Sequence, residues 1–396
     1  ITERFFLWKK GWLMYVNHPE YSVRDILTDN NNWERYKLFH KGKLREEQIK
    51  EIDAMIHCND PKKGFWYYYC KDCDDYIIRH LSCNSRACCR CGTRHLKKWV
   101  KKTVERMFDV DHSHLVFTLP RDIWLLIEDN WDCIRELSIA AFRVLEETMC
   151  RSAKQEITPG MICALHTFGN DIKWNVHFHT IISEGGATKN GKWKPVYYLP
   201  YEILRKKWRD YSLDIIKKHV EMTEKNQMTL LSIEHQYVNG FDIKRIKGKI
   251  PKKELVGYIA RYIRHPPISN RRITDYNYDN DNVIIICKYG DTKIKYNVSF
   301  SIDEFITRII KHIPPKHFKV IRHFGLYSRK KYVPNLVKRD KQEIISKYFG
   351  IKHTIKCPKC KRILSPIGFF SPFYPEKPPP TAVFGNKISD WCYEAS

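Results

Sequence analysis

Two short patterns in the sequence carry side chains that could act on a phosphate ester. His177 and His179 are separated by one residue in a run typical of a β-strand, and Tyr258 and Tyr262 are four residues apart in a run typical of a helix. Alternate side chains share one face of a strand, and residues four apart share one face of a helix. Two imidazoles are half of a site for a divalent cation that polarises a phosphate oxygen, and a phenol oxygen can attack phosphorus.

Each pattern taken alone also has an ordinary structural interpretation. A His-x-His pair on a strand is often only a polar face, and tyrosines four apart on a helix usually pack into a core. The phenol pKa is about 10, so loss of its proton at neutral pH needs help. A metal beside the phosphate, together with Arg261 or Arg264, would supply that help. The tyrosine pair therefore strengthens the interpretation of the histidine pair as half of a metal site.

Such a metal site needs a third protein ligand. Two imidazoles alone hold a hard cation weakly, and Mg²⁺ takes several oxygen ligands, some of them from water and phosphate. His166 on the preceding predicted strand is the first choice, and Asp171 is the second. A structural hydrogen bond is the alternative role for His166.

The cysteines indicate zinc. Seven of the 14 cysteines lie between Cys58 and Cys91, at spacings typical of metal ligands. The pairs Cys70-x2-Cys73 and Cys88-x2-Cys91 have 14 residues between them, close to the ribbon spacing that gives a tetrahedral site. Four soft thiolates in that geometry suit Zn²⁺, so these two pairs are predicted to hold one ion.

Two more cysteines in this region leave a second zinc site open. Cys58 and Cys83 are its tentative ligands, and Cys89 is an alternative to its neighbour Cys88, which the spacing favours. The histidines close to them are His57, His80 and His95. Near the end of the chain, zinc at Cys357-x2-Cys360 also stays open. The cysteines that stand singly in apolar runs are predicted to be ordinary buried thiols: Cys133, Cys150, Cys163 and Cys287.

Composition places these patterns in a folded protein that binds a polyanion. The 396 residues carry a net charge of +25 and are 43% hydrophobic. Charge of this size attracts phosphates, which favours nucleic acid over an acidic membrane surface, although an enzyme that is merely basic would show it too. The sequence contains no apolar run of about 18 residues that could span a membrane, and lysines interrupt the apolar start. Metal-bound thiols predict a reducing compartment, the cytoplasm.

The candidate residues require a mixed fold that brings them together. Antiparallel strands at 160–168 and 174–183, joined by the turn at 169–171, carry the histidines. The order of strand, helix and hairpin predicts an α+β fold. Further strands are predicted at 113–120, 230–233, 243–246, 283–288 and 293–300, and further helices at 122–153, 201–222, 252–264 and over most of 303–356.

Motifs in a fixed order extend over most of the chain. The motifs are Cys70-x2-Cys73, 83–91 (CNSRACCRC), 114–120 (HLVFTLP), 165–169 (LHTFG), 177–179 (HFH), 258–262 (YIARY), 264–269 (RHPPIS) and 322–326 (RHFGL). With them the sequence resembles the HUH-type two-tyrosine transposases of bacterial insertion sequences, the family typified by insertion sequence ninety-one, which begin with a transposase zinc-binding domain. One departure is Cys89, where the family usually has proline.

The resemblance implies a single-strand DNA endonuclease and strand transferase. It implies that His177 and His179 bind Mg²⁺ or Mn²⁺ and that Tyr258 and Tyr262 form 5′-phosphotyrosine links in rolling-circle-like transposition. The implied partners are single-stranded DNA and element-end hairpins, without a membrane, in a bacterial cytoplasm with association to the nucleoid when DNA is bound. Two alternatives stay open: a zinc-dependent DNA-binding regulator without catalysis, and a rolling-circle replication initiator.

Composition and periodicity along the chain, together with this resemblance, predict four regions. These are a basic helical lead-in at 1–56, a zinc-binding DNA-recognition module at 57–98, an HUH nuclease domain with a central antiparallel sheet at 99–300, and a basic, mostly helical region at 301–396. Cations around the module and the tyrosines are predicted to contact phosphates, with a solvated charged rim as the alternative. The predicted DNA contacts are Arg86, Arg90, Arg94, Lys97, Lys98, Arg261 and Arg264.

Overall fold

The computed structural model of the chain covers most of the predicted elements. It describes residues 7–9, 12–14, 21–83, 85, 87–89, 91, 103, 107–250, 266–289, 292, 294–328, 355–364 and 366–370. The predicted helix at 252–264 lies outside the described residues, and with it the two candidate nucleophiles. Every predicted DNA-contacting residue also lies outside them: Arg86, Arg90, Arg94, Lys97, Lys98, Arg261 and Arg264.

Helices and strands alternate along the chain in a mixed α/β order. The helices are α1 (Val23–Thr28), α2 (Asn32–Phe39), α3 (Glu46–Ile56), α4 (Arg121–Leu126), α5 (Trp131–Ala153), α6 (Tyr201–His219), α7 (Glu224–Gln236) and α8 (Ile302–Lys311). The strands are β1 (Leu7–Lys9), β2 (Trp12–Met14), β3 (Phe65–Cys70), β4 (Asp75–His80), β5 (His112–Thr118), β6 (Thr158–Phe168), β7 (Trp174–Ala187), β8 (Trp193–Pro195), β9 (Ile243–Ile250), β10 (Ile273–Asn277), β11 (Asn282–Lys288), β12 (Lys295–Phe300), β13 (Ile321–Gly325), β14 (Ile355–Lys356), β15 (Ile363–Leu364) and β16 (Pro366–Phe370). None of the described helices is both long and apolar enough to cross a membrane.

The central sheet is antiparallel throughout, as the sequence predicts. Its strands run in the order β13-β6-β7-β5-β9, and β8 pairs with the end of β7. Along β7, Val176 and Phe178 are fully buried among apolar side chains. Because side chains alternate along a strand, the histidines between and after them lie on the other face. One face of the sheet thus forms the core and the other is left for polar groups.

Helices α5 and α6 pack together and cover the apolar face of this sheet. Trp208 of α6 is fully buried, and its ring lies edge-on to Phe117 of β5 with 5.3 Å between ring centroids. The indole N–H of Trp208 also donates to the carbonyl oxygen of Thr118 at 2.8 Å, so the buried polar atom is satisfied. These contacts fix β5, and through it β7, against a rigid helical layer.

A second core joins the helical lead-in to the later part of the chain. Helices α1 to α3 pack with α8 and with the three-stranded sheet β10-β11-β12. Helix α8 begins where Ser301 accepts a hydrogen bond from the backbone N–H of Glu304, a standard N-cap. Its buried face consists of Ile302, Phe305, Ile306, Ile309 and Ile310, whose spacing is that of an amphipathic helix.

The structure corrects two sequence predictions. Residues 230–233, predicted as a strand, lie inside α7, whose start is capped by Thr223, and its buried Leu230 and Ile233 are spaced for one helix face. A short apolar run does not distinguish a strand from one turn of a buried helix. Of the predicted helical stretch 303–356, the described residues are helical only in α8.

Strands that follow residue 300 pair with strands from earlier in the chain. Strand β13 pairs with β6, and β16 pairs with β3 near the start of the chain. Tertiary contacts decide which strand pairs with which, and the periodicity of a single segment does not predict them.

Gly325, in the 322–326 motif, is required by a close backbone approach. Its φ is +55°, and a Cβ at this position would overlap the carbonyl oxygen of Pro159 and lie 2.9 Å from the Phe142 ring. We expect Gly325→Ala to lower the free energy of unfolding by about 1–3 kcal/mol, from overlap and from the left-handed backbone. Unfolding in denaturant would measure this change in the free energy of unfolding. Gly42→Ala is the control, since Gly42 also has positive φ but open space around it; an equal loss in both variants would contradict the role of overlap.

Candidate active site

Three histidines converge on the polar face of the central sheet. His166 of β6 lies directly opposite His177 of β7 in the strand register, and His179 follows on the same face of β7. Ring centroids are 5.5 Å apart for His166 and His177, 4.5 Å for His166 and His179, and 5.0 Å for His177 and His179. One ring nitrogen from each lies within 4.8 Å of the other two. The structure therefore brings the histidine pair and the first-choice third ligand to one point.

The hydrogen bond at Nδ1 of His177 leaves Nε2 as the ring nitrogen that can bind a metal. Its Nδ1 lies 2.9 Å from the carbonyl oxygen of Asn175, and since a carbonyl only accepts, Nδ1 carries the proton and donates. The lone pair of the neutral ring is then on Nε2. Burial lowers the pKa of His177 below its ordinary value, only partly opposed by the bond to Asn175. The ring is therefore neutral at pH 7, the form that binds a metal ion.

A fourth histidine, not singled out in the sequence, supports His179 from behind. The Nε2 of His114 on β5 lies 2.9 Å from the Nδ1 of His179. His114 is completely buried, and burial lowers its pKa to about 4, so its ring is neutral. If His179 held an ion through Nε2, its Nδ1–H would donate to His114 Nε2, which would fix the tautomer and the ring orientation. Only the register of β5 against β7 reveals this pairing.

Removal of His114 is expected to weaken the metal site without removing a ligand. For His114→Ala we expect Mn²⁺ affinity to fall by about 10- to 100-fold, the usual effect of losing such a supporting partner. Titration of free Mn²⁺ by electron paramagnetic resonance measures this directly. His114→Gln is the conservative control, because its amide oxygen can accept from His179. Wild-type affinity in the alanine variant would show that His114 does not position the ligand.

Asp171, the second-choice ligand, is engaged elsewhere. Its carboxylate lies 3.0 Å from the ammonium of Lys173, and it is not part of the histidine group. It belongs to the turn between β6 and β7, where its backbone carbonyl also accepts from Arg308. The geometry thus favours His166 over Asp171 as third ligand.

The histidines open into a cavity of about 560 Å³. Pro266 and Pro267 also line it, and they directly follow 251–265, the stretch that contains both tyrosine candidates. Arg272 lines the same cavity, and its Nε donates to the carbonyl oxygen of Ile286 at 3.1 Å. The cavity is therefore large enough for a few atoms of a phosphodiester backbone and has a positively charged side chain in its lining.

Four cysteines of the N-terminal module form a second candidate metal site. The Sγ atoms of Cys58 and Cys91 are 3.5 Å apart, those of Cys83 and Cys91 are 3.5 Å apart, and those of Cys58 and Cys88 are 3.7 Å apart. Zinc–sulfur bonds of about 2.3 Å in a tetrahedron place sulfurs roughly 3.8 Å apart, whereas a disulfide needs about 2.05 Å. The donor set and its spacing fit Zn²⁺.

This grouping corrects the predicted zinc site. Cys88 and Cys91 pair with Cys58 and Cys83, while Cys70 and Cys73 belong to another cluster with Cys357 and Cys360. Spacing identifies the Cys-x2-Cys pairs but contains no information on which pairs meet in space.

Other nearby residues take structural positions. The Cys89 thiol lies 3.1 Å from the carbonyl oxygen of Ile268, while the sulfur of Cys88 belongs to the group of four. Among the nearby histidines, His57 bonds to Asp60 at 3.1 Å, and His80 lies edge-on to Phe65. His95 lies outside the described residues.

Two family models match parts of the chain. Residues 29–119 match the model of the transposase zinc-binding domain, and residues 160–333 match the model described as "Putative transposase". The first range contains all four ligands of the module cluster, and the second contains the three histidines and β13.

Curated relatives match over most of their own length. The transposase for insertion sequence element IS801 of Pseudomonas savastanoi pv. phaseolicola is 28% identical over 348 residues, which cover 82% of this chain and 82% of the relative. "Putative transposase y4qJ" of Sinorhizobium fredii is 26% identical over 320 residues, which cover 74% of this chain and 77% of the relative. No solved structure matches. Over most of its length the chain is thus similar to insertion-sequence transposases of the IS91 and IS801 type.

Proposed function

We propose that this chain cuts and rejoins single-stranded DNA at the ends of an insertion sequence through 5′-phosphotyrosine intermediates. The observation that carries the proposal is the convergence of His166, His177 and His179 beside an open cavity. In the first step a tyrosine Oη bonds to phosphorus, the bond from phosphorus to O3′ breaks, and the released O3′ takes a proton. Attack by a 3′-hydroxyl on the phosphotyrosine reverses these changes and rejoins a strand.

The histidine group fits a divalent cation, Mn²⁺ or Mg²⁺. Three neutral imidazoles leave other coordination positions for water and phosphate oxygens, and nitrogen donors suit Mn²⁺ better than the harder Mg²⁺. The bound cation would polarise a phosphate oxygen and stabilise negative charge at phosphorus. The protein contributes a preorganised set of ligands: His177 is held by Asn175, and His179 by His114.

Tyr258 and Tyr262 are the proposed nucleophiles. Tyr262 is four residues before Pro266 of the cavity wall, and four residues of extended chain span at most roughly 14 Å. The chain therefore limits how far one phenol can lie from the cavity. Two tyrosines would let one chain hold one strand end while it cuts another. Arg261 and Arg264, between and after them, are the proposed contacts to the phosphate.

Charge and kinship support DNA as the substrate. The net charge of +25 favours a phosphate backbone, and the IS801 relative is described as a transposase for an insertion sequence element. We propose element-end hairpins and single-stranded DNA as the partners, and association with the nucleoid when DNA is bound.

The test is a search for protein-linked DNA. Purified full-length chain with Mn²⁺ is incubated with single-stranded oligonucleotides that cover both ends of the element, labelled on the 3′ side of the expected cut. We expect a denaturation-resistant adduct that carries this label, with a free 3′-hydroxyl on the other fragment. If the chain binds the oligonucleotides but forms no adduct with any of the divalent cations supplied, the zinc-dependent DNA-binding regulator is favoured. Adducts formed only at a plasmid origin would favour the replication initiator.

A further inference from the structure

A second group of four cysteines joins residues that are almost 290 positions apart. The Sγ atoms of Cys70, Cys73, Cys357 and Cys360 all lie within 4.8 Å of one another, and those of Cys70 and Cys360 are 3.5 Å apart. Cys70 and Cys357 are completely buried. The zinc-binding domain matched by the family model ends at residue 119, so half of these cysteines lie outside it.

Each pair lies at a turn between two antiparallel strands. Cys70 and Cys73 lie where β3 turns into β4, and Cys357 and Cys360 lie between β14 and β15. A Cys-x2-Cys pair at such a turn can offer two sulfurs to one ion. The sulfur spacing is again near the roughly 3.8 Å of a tetrahedral zinc site, whereas a disulfide needs about 2.05 Å.

The surrounding contacts hold the two segments together. Strand β16 pairs with β3, which makes the β3-β4 hairpin a three-stranded sheet. The Arg362 guanidinium lies 2.6 Å from the carboxylate of Asp72, and the Lys359 ammonium lies 3.2 Å from that of Asp75. Each ion pair joins the C-terminal segment to the hairpin. Exposed ion pairs of this kind stabilise little on their own, so a stronger link is needed to order so small a sheet.

We propose that Cys70, Cys73, Cys357 and Cys360 bind a second structural Zn²⁺, which fastens the C-terminal segment 355–370 to the N-terminal zinc module. Four thiolates from two facing turns close the coordination shell, so the ion is structural, with no open position for substrate. The apolar neighbours at this site are few, Leu364 and Ile77 among them, and metal coordination takes the place of a hydrophobic core. The N-terminal module is thereby fastened to the part of the chain that follows β13.

Metal content of the full-length chain tests the proposal. The parent for the measurement carries His177→Ala and His179→Ala, so that the histidine group does not add zinc to the count. We expect two zinc ions per chain in this parent by mass spectrometry of the metal, and one after Cys360→Ser. Cys360 is exposed, so the substitution removes a ligand without opening a cavity. Cys89→Ser is the matched control and should keep two ions.

Hydrogen exchange locates the lost ion. Backbone amides of 355–370 should exchange faster in Cys360→Ser than in the parent. The exchange rates of amides near Cys58, Cys83, Cys88 and Cys91 should be the same in both proteins. Cys360→His restores a zinc ligand and should restore both the second ion and slow exchange. Equal zinc content in Cys360→Ser and its parent would overturn the proposal.

The unmodified chain provides a test that needs no folded variant. With zinc bound, the exposed Cys360 thiol should resist alkylation by iodoacetamide until a chelator removes the ion. Rapid alkylation of Cys360 in the zinc-loaded chain would also overturn the proposal. Neither result depends on DNA cleavage, so this proposal and the nuclease proposal can fail separately.

Discussion

Replacement of His177 by alanine is expected to lower the rate of DNA–protein adduct formation by about a thousandfold. One ring nitrogen of His177 lies within 4.8 Å of one ring nitrogen each from His166 and His179. The hydrogen bond from Nδ1 to the carbonyl oxygen of Asn175 orients the ring and therefore its Nε2. Loss of one of three ligands removes most of the bound cation at ordinary concentrations. A catalytic metal contributes several kcal/mol to the transition state, and each 1.36 kcal/mol is about a tenfold change in rate.

The measurement is the initial rate of adduct formation at a series of Mn²⁺ concentrations. His235→Ala is the control, because His235 is exposed on α7 and is outside the metal-ligand groups of the described residues. Alkylation of the cysteine thiols by iodoacetamide should be equally slow in both variants, which separates loss of the catalytic ion from unfolding of the cysteine sites. A His177→Ala chain that keeps wild-type rates at every Mn²⁺ concentration would contradict the proposed site.

The double change Tyr258→Phe and Tyr262→Phe is expected to abolish the covalent adduct altogether. Phenylalanine keeps the ring and removes only the oxygen that would attack phosphorus, so DNA binding should be retained. Denaturing gels with labelled oligonucleotide measure the adduct, and filter binding measures affinity. Tyr197→Phe is the control, since Tyr197 is 90% exposed and distant in sequence from the tyrosine pair.

The single variants should separate the two tyrosines. If each phenol can attack, Tyr258→Phe and Tyr262→Phe alone will still form an adduct, and peptide mapping will place the DNA on the tyrosine that remains. Adduct formation by the double variant would show that another side chain is the nucleophile, and the same mapping would identify it.

Local patterns predicted the elements that carry the candidate site. The alternation of apolar and polar residues placed His177 and His179 on one face of a strand, and the turn at 169–171 placed His166 on the neighbouring strand. Both expectations depend on periods of two residues and on turn chemistry, which are properties of a short segment. The hairpin of β6 and β7 is found with nearly the predicted bounds.

Contacts between distant segments were not predictable in the same way. His114 supports His179 only because β5 pairs with β7 in one register, and a shift by one residue would turn His114 to the other face. Spacing alone grouped Cys70-x2-Cys73 with Cys88-x2-Cys91. In the structure Cys70 and Cys73 instead lie with Cys357 and Cys360, near the other end of the chain.

The sequence by itself determined the chemistry that we propose for this protein, because it shows which side chains are of a type that can ligate a metal or attack phosphorus and that the net charge is +25. The tertiary structure alone decided which of these groups meet, namely His166 with His177 and His179, and each Cys-x2-Cys pair with its true partner. The physical reason is that residue type and short-range spacing set what a side chain can do and which way it points on its own element. The partner across a sheet or a metal site is set by strand register and packing, which depend on the whole chain at once.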